Sequence, residues 1–189
     1  MLNNFYDKFI FTNSLKFKQD NFFLLDIPFL IAPVDLFVSL FEKNSTELNK
    51  EIYYAVKVST RKYLVKRLEK EFPLKGDKLM EFFLNYFIAS GWGQIKLIDF
   101  DRENNRAILN ATNSPIALQL SGKIEQTADH VLRGILAGVF SEAYNMNMDC
   151  VETSCQSQTK PHCEFVIKKT SDFDYAHDET KEQLNQVEG

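Results

Sequence analysis

The chain has 189 residues, of which 44% are hydrophobic, and a formal net charge of −4. This length predicts one domain, and the hydrophobic fraction excludes an intrinsically disordered chain. The acidic balance argues against a nucleic-acid-binding domain, and the lack of any run of about 18 apolar residues argues against a membrane span.

The N-terminal sequence and the cysteines indicate the compartment. No basic region followed by an apolar core is present, so no secretory signal is predicted and a cytoplasmic location is expected. Three cysteines, an odd number, then indicate metal or thiol chemistry rather than a disulfide framework. The densest basic stretch, residues 61–70, is interleaved with acidic residues and is interpreted as a solvated helix face.

The predicted elements are short extended runs followed by helices and hairpins. Two extended runs, at residues 8–12 and 22–25, belong to an N-terminal extended segment that covers residues 1–33. Apolar residues at helical spacing predict one helix that starts near residue 34. They predict three more at residues 46–71, 77–90 and 127–143. Apolar or alternating runs predict four strands, at residues 94–100, 106–111, 150–155 and 163–168. Residues 116–120 are ambiguous.

The last predicted helix has an unbroken apolar stripe, with Thr127 as its N-cap. Gly134 and Gly138 lie four residues apart on a different face, and each costs about 0.5–1 kcal/mol relative to alanine. Two glycines on one face indicate either close approach of another backbone, which is the commoner case, or room for a ligand. Residues 170–189 are rich in Asp, Glu and Gln, which predicts an acidic, disordered tail.

All three cysteines fall within residues 150–163, together with a carboxylate and a histidine. The turn of a predicted hairpin brings Cys155 and Cys163 close together, and Glu152 lies three residues before Cys155. Zinc takes about four ligands in a tetrahedron, drawn from thiolate, imidazole and carboxylate. This spacing therefore indicates a metal site, although no paired C-x-x-C motif is present.

Other interpretations of these residues stay open at the level of sequence. Cys155 and Cys163 could instead form a cross-strand disulfide. Cys150 is best explained as a small buried apolar residue at the start of a strand. His162 lies in the predicted turn, where a solvated loop residue is commoner than a metal ligand.

The region from about residue 129 to residue 167 resembles the 4-vinyl reductase domain, whose group also contains the TRAPP transport subunits and haem-type nitric oxide sensors. The first matching run is the helix A-D-H-V-L-R-G-I-L-A-G-V-F, which carries Gly134 and Gly138. The second is the later run E-T-S-C-Q-S-Q-T-K-P-H-C-E-F-V. Together, the glycine pair and the Glu/Cys/Cys spacing carry the resemblance.

The zinc-bearing members of that family bind the metal through a glutamate, two cysteines at this spacing and a further cysteine five residues before the first helix glycine. The resemblance therefore implies that Glu152, Cys155 and Cys163 are zinc ligands. The fourth position falls on Asp129, where this sequence departs from the family's pattern. Aspartate can bind zinc, and the neighbouring His130 is the alternative fourth ligand.

The resemblance also implies an α+β fold, with helices packed on an antiparallel sheet and an apolar pocket between them, and often a dimer. On this basis residues 1–169 are predicted to form a single domain with its zinc-site core at residues 120–169. The N-terminal extended segment is a candidate dimer interface. Similar domains bind hydrophobic or aromatic ligands. The candidate pocket residues are Trp92, Arg133, Gly134 and Gly138.

The expected function is therefore a small-molecule-binding or sensory domain with a structural zinc site, assembled as a homodimer. An enzyme is less favoured, because the chain has no G-x-G-x-x-G after a strand, no P-loop and no H-E-x-x-H motif. Two alternatives are kept. One is an accessory protein or reductase in tetrapyrrole metabolism, and the other is an assembly protein like the TRAPP subunits that acts through dimerisation.

Overall fold

The computed structural model describes residues 15–42 and 45–186. It begins with a three-stranded antiparallel sheet in the order β1-β2-β3. These strands are β1 (Leu15–Lys18), β2 (Asn21–Leu24) and β3 (Ile27–Phe29). Two-residue turns join them, and both residues of each turn have positive φ angles, as type I′ hairpins require. The strand predicted at 22–25 is confirmed as β2, whereas the run at 8–12 lies outside the described residues.

The helices of the described chain are α1 (Asp35–Glu42), α2 (Thr46–Ser59), α3 (Lys66–Glu71), α4 (Gly76–Ala89), α5 (Pro115–Gln119), α6 (His130–Ala143) and α7 (Asp178–Gln183). The helix predicted at 46–71 is continuous, but a π-helical segment, Thr60–Val65, separates α2 from α3. The ambiguous residues 116–120 form most of α5, which has Pro115 at its first position. None of the described helices is both long and apolar enough to cross a membrane.

A second antiparallel sheet has four strands in the order β4-β5-β7-β6. Its strands are β4 (Gln94–Asp101), β5 (Arg106–Thr112), β6 (Met148–Ser154) and β7 (Cys163–Lys169). A bulge interrupts the pairing of β4 between Leu97 and Asp99, and another interrupts β6 between Glu152 and Ser154. The predicted α+β fold with helices packed on an antiparallel sheet is confirmed.

Helix α6 is the central element and packs against both α2 and β6. A Cβ atom added at Gly134 would lie 2.7 Å from the carbonyl oxygen of Tyr53, and one at Gly138 would lie 2.8 Å from that of Lys57. Both distances are too short for any side chain, so the two glycines let α6 approach the backbone of α2 closely. Backbone packing therefore explains the glycine pair and leaves no room for a ligand between these helices.

Helix α6 begins later than predicted. Its first residue is His130 and its N-cap is Asp129, while Thr127 lies in irregular backbone. The Asp129 N–H donates to Glu152 Oε2 at 3.2 Å, and the Asp129 carboxylate accepts from Ser114. Tertiary contacts therefore fix the start of this helix in place of a local threonine cap.

Residues 170–186 are ordered, in place of the predicted disordered tail. Helix α7 packs beside β6, and Phe173 and Leu184 of this segment are buried. The Gln183 side-chain amide accepts from the Glu152 N–H and donates to the Glu152 carbonyl oxygen, both at 2.8 Å. A few buried residues are thus enough to order a segment whose average composition is polar.

A buried ionic network connects α2 to β6. Asp149 is 1% exposed and accepts hydrogen bonds from Lys57 Nζ and Tyr53 OH, each at 2.6 Å. Thr170 Oγ1 donates to the other oxygen of the carboxylate, also at 2.6 Å. Both oxygens of this buried charge therefore have partners, as burial of a carboxylate requires.

Candidate metal centre and ligand cavity

Four acidic or thiol side chains meet where β6 ends, β7 begins and α6 begins. They are Asp129, Glu152, Cys155 and Cys163, and each is at most 2% exposed. One potential ligand atom from each lies within 4.8 Å of the others. The structure thus brings together the residues predicted as zinc ligands, with Asp129 in the fourth position.

A hairpin and a bulge produce this arrangement. Glu152 is buried beside the bulge in β6, Cys155 directly follows that strand, and Cys163 is the first residue of β7. A short 3-10 turn, Gln156–Gln158, reverses the chain between the two cysteines. Asp129 reaches the same point from the opposite direction, because it is the N-cap of α6.

Polar neighbours hold three of the four side chains, and two oxygen atoms of the cluster are left without partners. The holding contacts are Ser114 Oγ to Asp129 Oδ1 at 2.6 Å, Ser157 Oγ to Cys155 Sγ at 3.0 Å and the Gln156 N–H to Cys163 Sγ at 3.3 Å. Asp129 Oδ2 and Glu152 Oε1 are buried and accept no hydrogen bond from any described residue. Buried oxygens of this kind are rare and costly, and a bound cation would satisfy both.

The sulfur geometry fits zinc and is not that of a disulfide. All three cysteines of the chain lie in the described residues and are free, and the Cys155 and Cys163 Sγ atoms are 3.8 Å apart. A disulfide needs an S–S distance of about 2.0 Å. Two sulfurs each about 2.3 Å from a tetrahedral zinc would lie about 3.8 Å apart. The cross-strand disulfide considered from the sequence is therefore wrong.

The acid–base properties of the cluster also favour a cation. Burial, together with the nearby Cys155 thiolate, raises the pKa of Asp129 to about 7, and burial raises the pKa of Glu152 well above its usual value. A hydrogen bond from Cys163 lowers the pKa of Cys155 to about 6, and the same bond raises the pKa of Cys163. Four acidic groups this close cannot all ionise unless a positive charge joins them.

His130 does not join the cluster. Its Nδ1 atom lies 3.2 Å from Arg133 Nη1, and burial beside that guanidinium lowers the pKa of His130 to about 3. Arg133 is fully buried, donates to the backbone oxygens of Cys150 and Gln183, and lies 4.4 Å from the centroid of the Tyr53 ring. The described contacts of both side chains thus lie outside the four-residue cluster.

A separate cavity of about 1100 Å³ opens beside α2, the π-helical segment and α3. Its apolar wall consists of Ile27, Ala55, Val56, Leu64, Phe87 and Ile135. None of the four predicted pocket residues is among the described residues that line it. Trp92 contacts one of the lining residues, because its ring packs edge-on against Phe87 at a centroid distance of 6.4 Å.

One region of the chain matches a known protein family. Residues 110–169 match the 4-vinyl reductase domain. The resemblance to that family is thus confirmed over about a third of the chain, and the matched region contains all four clustered residues. None of the curated proteins matches the chain significantly.

One solved structure shares the fold over nearly the whole chain, and two others are similar over less of it. The chain is similar to the phenol-responsive sensory domain of the transcription activator PoxR with phenol, at 12% identity over 97% of each chain and a TM-score of 0.73. It is also similar to a vinyl-4-reductase family protein from Methanocaldococcus jannaschii, at 19% identity over 75% of this chain and 84% of that one, with a TM-score of 0.48. A trafficking protein particle complex subunit 3 from Naegleria fowleri, covalently bound to palmitic acid, matches at 9% identity over 71% and 91%, with a TM-score of 0.47.

The polar residues around the four-residue cluster were not predicted. Neither Ser114 nor Ser157 carries a sequence signal for a metal site, yet both contact the cluster. No spacing rule would have found them. One signal was available for the buried ionic network, because Asp149 is a charged residue between two apolar residues of β6, Met148 and Cys150.

Proposed function

We propose that this protein is a sensory domain that binds a small hydrophobic or aromatic molecule in the cavity and is stabilised by a structural zinc ion. The cavity carries the ligand-binding part of the proposal. Its volume of about 1100 Å³ is slightly above the range of small-molecule sites, which span about 300–1,000 Å³. The 4-vinyl reductase domain match and the fold shared with a phenol-responsive sensory domain support this function.

The donor set favours a structural role for zinc over a catalytic one. Four protein side chains are available as ligands, all four are buried, and two are cysteines. Catalytic zinc sites usually keep one position open to water, whereas structural sites are closed by four protein ligands. The ion would tie the hairpin of β6 and β7 to the start of α6 at Asp129, so that metal binding contributes to folding.

Helix α6 links the proposed metal site to the cavity. It starts directly after Asp129, and further along it carries Ile135, which lines the cavity. The facing cavity wall comes from α2 and the π-helical segment, through Val56 and Leu64. A ligand in the cavity would contact α6 and these helices at once. Such a ligand can bias how the helices pack, which is the step a sensory domain needs.

We expect phenol or larger apolar phenols to bind the protein and to raise its melting temperature. Ala55 is an exposed residue of α2 that lines the cavity, so Ala55→Phe places a ring inside it. The added ring takes up space that a ligand would occupy, so the variant should bind about tenfold more weakly, which corresponds to about 1.4 kcal/mol. Isothermal titration calorimetry against a panel of phenols measures this change.

Ala176→Phe is the matched control, since Ala176 is exposed and lies near the C-terminal helix, away from the cavity lining. It should bind the same phenols as the wild type. Equal weakening in both variants, or no binding by the wild type to any member of the panel, would contradict the ligand-binding proposal.

We also propose that the protein forms a homodimer through its N-terminal layer, which consists of the three-stranded sheet, the residues after it and the start of α1. The exposed apolar side chains of this layer include Leu15, Phe17, Leu30, Ile31 and Leu36, with Leu30 at 82% exposure. Large exposed apolar surface commonly marks a protein–protein interface, and identical chains most often pair about a two-fold axis. This surface is also the observation that favours the alternative of an assembly protein.

Light scattering coupled to size-exclusion chromatography tests the dimer. The wild type should have twice the mass of the chain, and the Leu30→Asp/Ile31→Asp variant should have the mass of one chain. Leu118→Asp, at a residue of α5 that is 46% exposed, should leave the dimer intact. A monomeric wild type would contradict the proposal, and a dimer that responds to no ligand would favour the assembly alternative.

A further inference from the structure

We propose that the cavity takes an amphiphilic anion, a molecule with an apolar chain or ring system and a carboxylate or phosphate head group. This inference rests on the proposed ligand-binding function and names the class of ligand. The observation behind it is the combination of an apolar wall with an opening lined by basic side chains. These basic residues are Lys62, Lys66, Arg67 and Lys70.

The four basic residues have no counter-charge at the cavity. No acidic residue is among the described residues that line it. None of the four forms an ion pair with a described carboxylate, whereas the adjacent Arg61 pairs with Glu142 at 3.0 Å. The basic charges facing the cavity are thus available for a ligand.

The spacing of these basic residues places their charges along one side of the helix. Lys62, Lys66 and Lys70 follow one another at intervals of four residues, and all three line the same cavity. Like charges at this spacing destabilise a helix. The acidic residues interleaved in sequence, such as Glu69, do not line the cavity. The interpretation of residues 61–70 as a solvated helix face is therefore incomplete, because the basic residues of this stretch also line the cavity.

The π-helical segment places apolar and basic groups next to each other at the opening. It contributes Lys62, Tyr63 and Leu64 to the cavity lining. Tyr63 is 63% exposed, and Lys62 Nζ lies 5.2 Å from the centroid of its ring. A π-helical segment is rare in soluble proteins and is often found at functional sites. Here it sets three consecutive side chains around one opening.

A ligand with both parts would satisfy the whole cavity. Its apolar part would bury against residues such as Val56, Phe87 and Ile135, and its head group would lie among the lysines. Because these lysines are exposed, the electrostatic part of the affinity should fall as salt screens the charges. An uncharged ligand of the same length would gain only the apolar part.

The test compares decanoate, decyl phosphate and decanol, each below its micelle concentration. Isothermal titration calorimetry measures the affinities, and fluorescence of Trp92, the single tryptophan, follows binding because its ring packs on Phe87. At low salt the anions should bind about tenfold more tightly than decanol, since each exposed ion pair adds only a little. Salt near 1 M should remove this preference.

The Lys62→Gln/Lys66→Gln/Lys70→Gln variant should bind decanol as the wild type does and should lose the preference for the anions. The matched control is Lys75→Gln/Lys78→Gln/Lys96→Gln, which changes the net charge equally at exposed lysines outside the cavity. It should keep the preference. A stronger response to decyl phosphate than to decanoate, or the reverse, supports the proposal and identifies the head group.

Three results would overturn the inference. Decanol binding as tightly as decanoate, with no effect of the triple variant, would leave ligand binding standing and remove the preference for anions. Binding to phosphatidylserine vesicles without binding to free decanoate would make the basic surface a membrane contact. If neither the three decyl compounds nor any phenol binds, the proposed ligand-binding function fails together with this inference.

Discussion

Protein purified anaerobically, without chelator and without a histidine tag, should contain about one zinc ion per chain, and the Cys163→Ser variant should contain none. Cys163 Sγ lies 3.8 Å from Cys155 Sγ in the buried cluster, so its loss removes one of the two sulfur ligands. A metal present at 1,000 times its dissociation constant stabilises a fold by about 4 kcal/mol. For a chain of this size that amounts to roughly 8–16 °C in Tm.

Elemental mass spectrometry and thermal unfolding measure the two effects together. Cys150→Ala is the matched control, because Cys150 is also buried but lies outside the four-residue cluster, and it should keep its zinc. A second matched pair separates the candidates for the fourth ligand. Asp129→Asn should weaken zinc binding, whereas His130→Gln should not, since His130 faces Arg133. Wild-type protein with no metal and two titratable thiols would remove the zinc site.

Replacing Asp149 by alanine should be among the most destabilising single changes in the chain. Lys57, which is 7% exposed, would lose the carboxylate that lies 2.6 Å from its Nζ atom. Breaking a buried ion pair by removing one partner typically costs about 3–5 kcal/mol, because the other charge stays buried and unpaired. Tyr53 and Thr170 would each lose an acceptor as well. Chemical denaturation gives the free energy of unfolding directly.

Two comparisons show whether the unpaired lysine is the cause. The double variant Lys57→Met/Asp149→Leu should recover much of the loss, since neither partner then leaves a buried charge behind. Asp99→Ala removes the exposed partner of Arg106, at 3.1 Å, and should cost less than about 1 kcal/mol. If Asp149→Ala and Asp99→Ala lowered the free energy of unfolding by equally small amounts, the buried network would stabilise the fold no more than an exposed ion pair does.

Two elements of the region that matches the 4-vinyl reductase domain could be predicted well because their signals are local. The strand that became β7 is a short apolar run after a polar turn, and the helix that became α6 carries a long apolar stripe. Hydrophobic periodicity reports such elements directly. The three sulfur and carboxylate candidates, Glu152, Cys155 and Cys163, were found because they lie close together in the sequence.

The remaining features depend on contacts between distant residues. Ser114 and Asp129 meet through tertiary packing, and the sequence around either residue does not predict this contact. The start of α6 was wrong for the same reason, since a carboxylate 23 positions away holds the Asp129 N–H. Local propensity is a weak guide wherever tertiary contacts compete with it.

The cavity could not be predicted from the aromatic stripes. Trp92 and the two glycines stood out in the sequence as unusual residues, but unusual residues also serve packing, as Gly134 shows against Tyr53. The cavity instead lies beside the basic stretch, where the sequence pattern looks like an ordinary exposed helix. Only the π-helical segment, Thr60–Val65, distinguishes that stretch, and no simple spacing rule predicts it.

The two edge strands of the four-stranded sheet have a consequence for solubility. Strands β4 and β6 are its two outer members, and an open outer strand offers unpaired backbone groups to other chains. A bulge between Leu97 and Asp99 interrupts β4. On β6 the Gln183 amide occupies both backbone groups of Glu152, much as a neighbouring strand would. The C-terminal helix thus protects the protein against edge-to-edge aggregation.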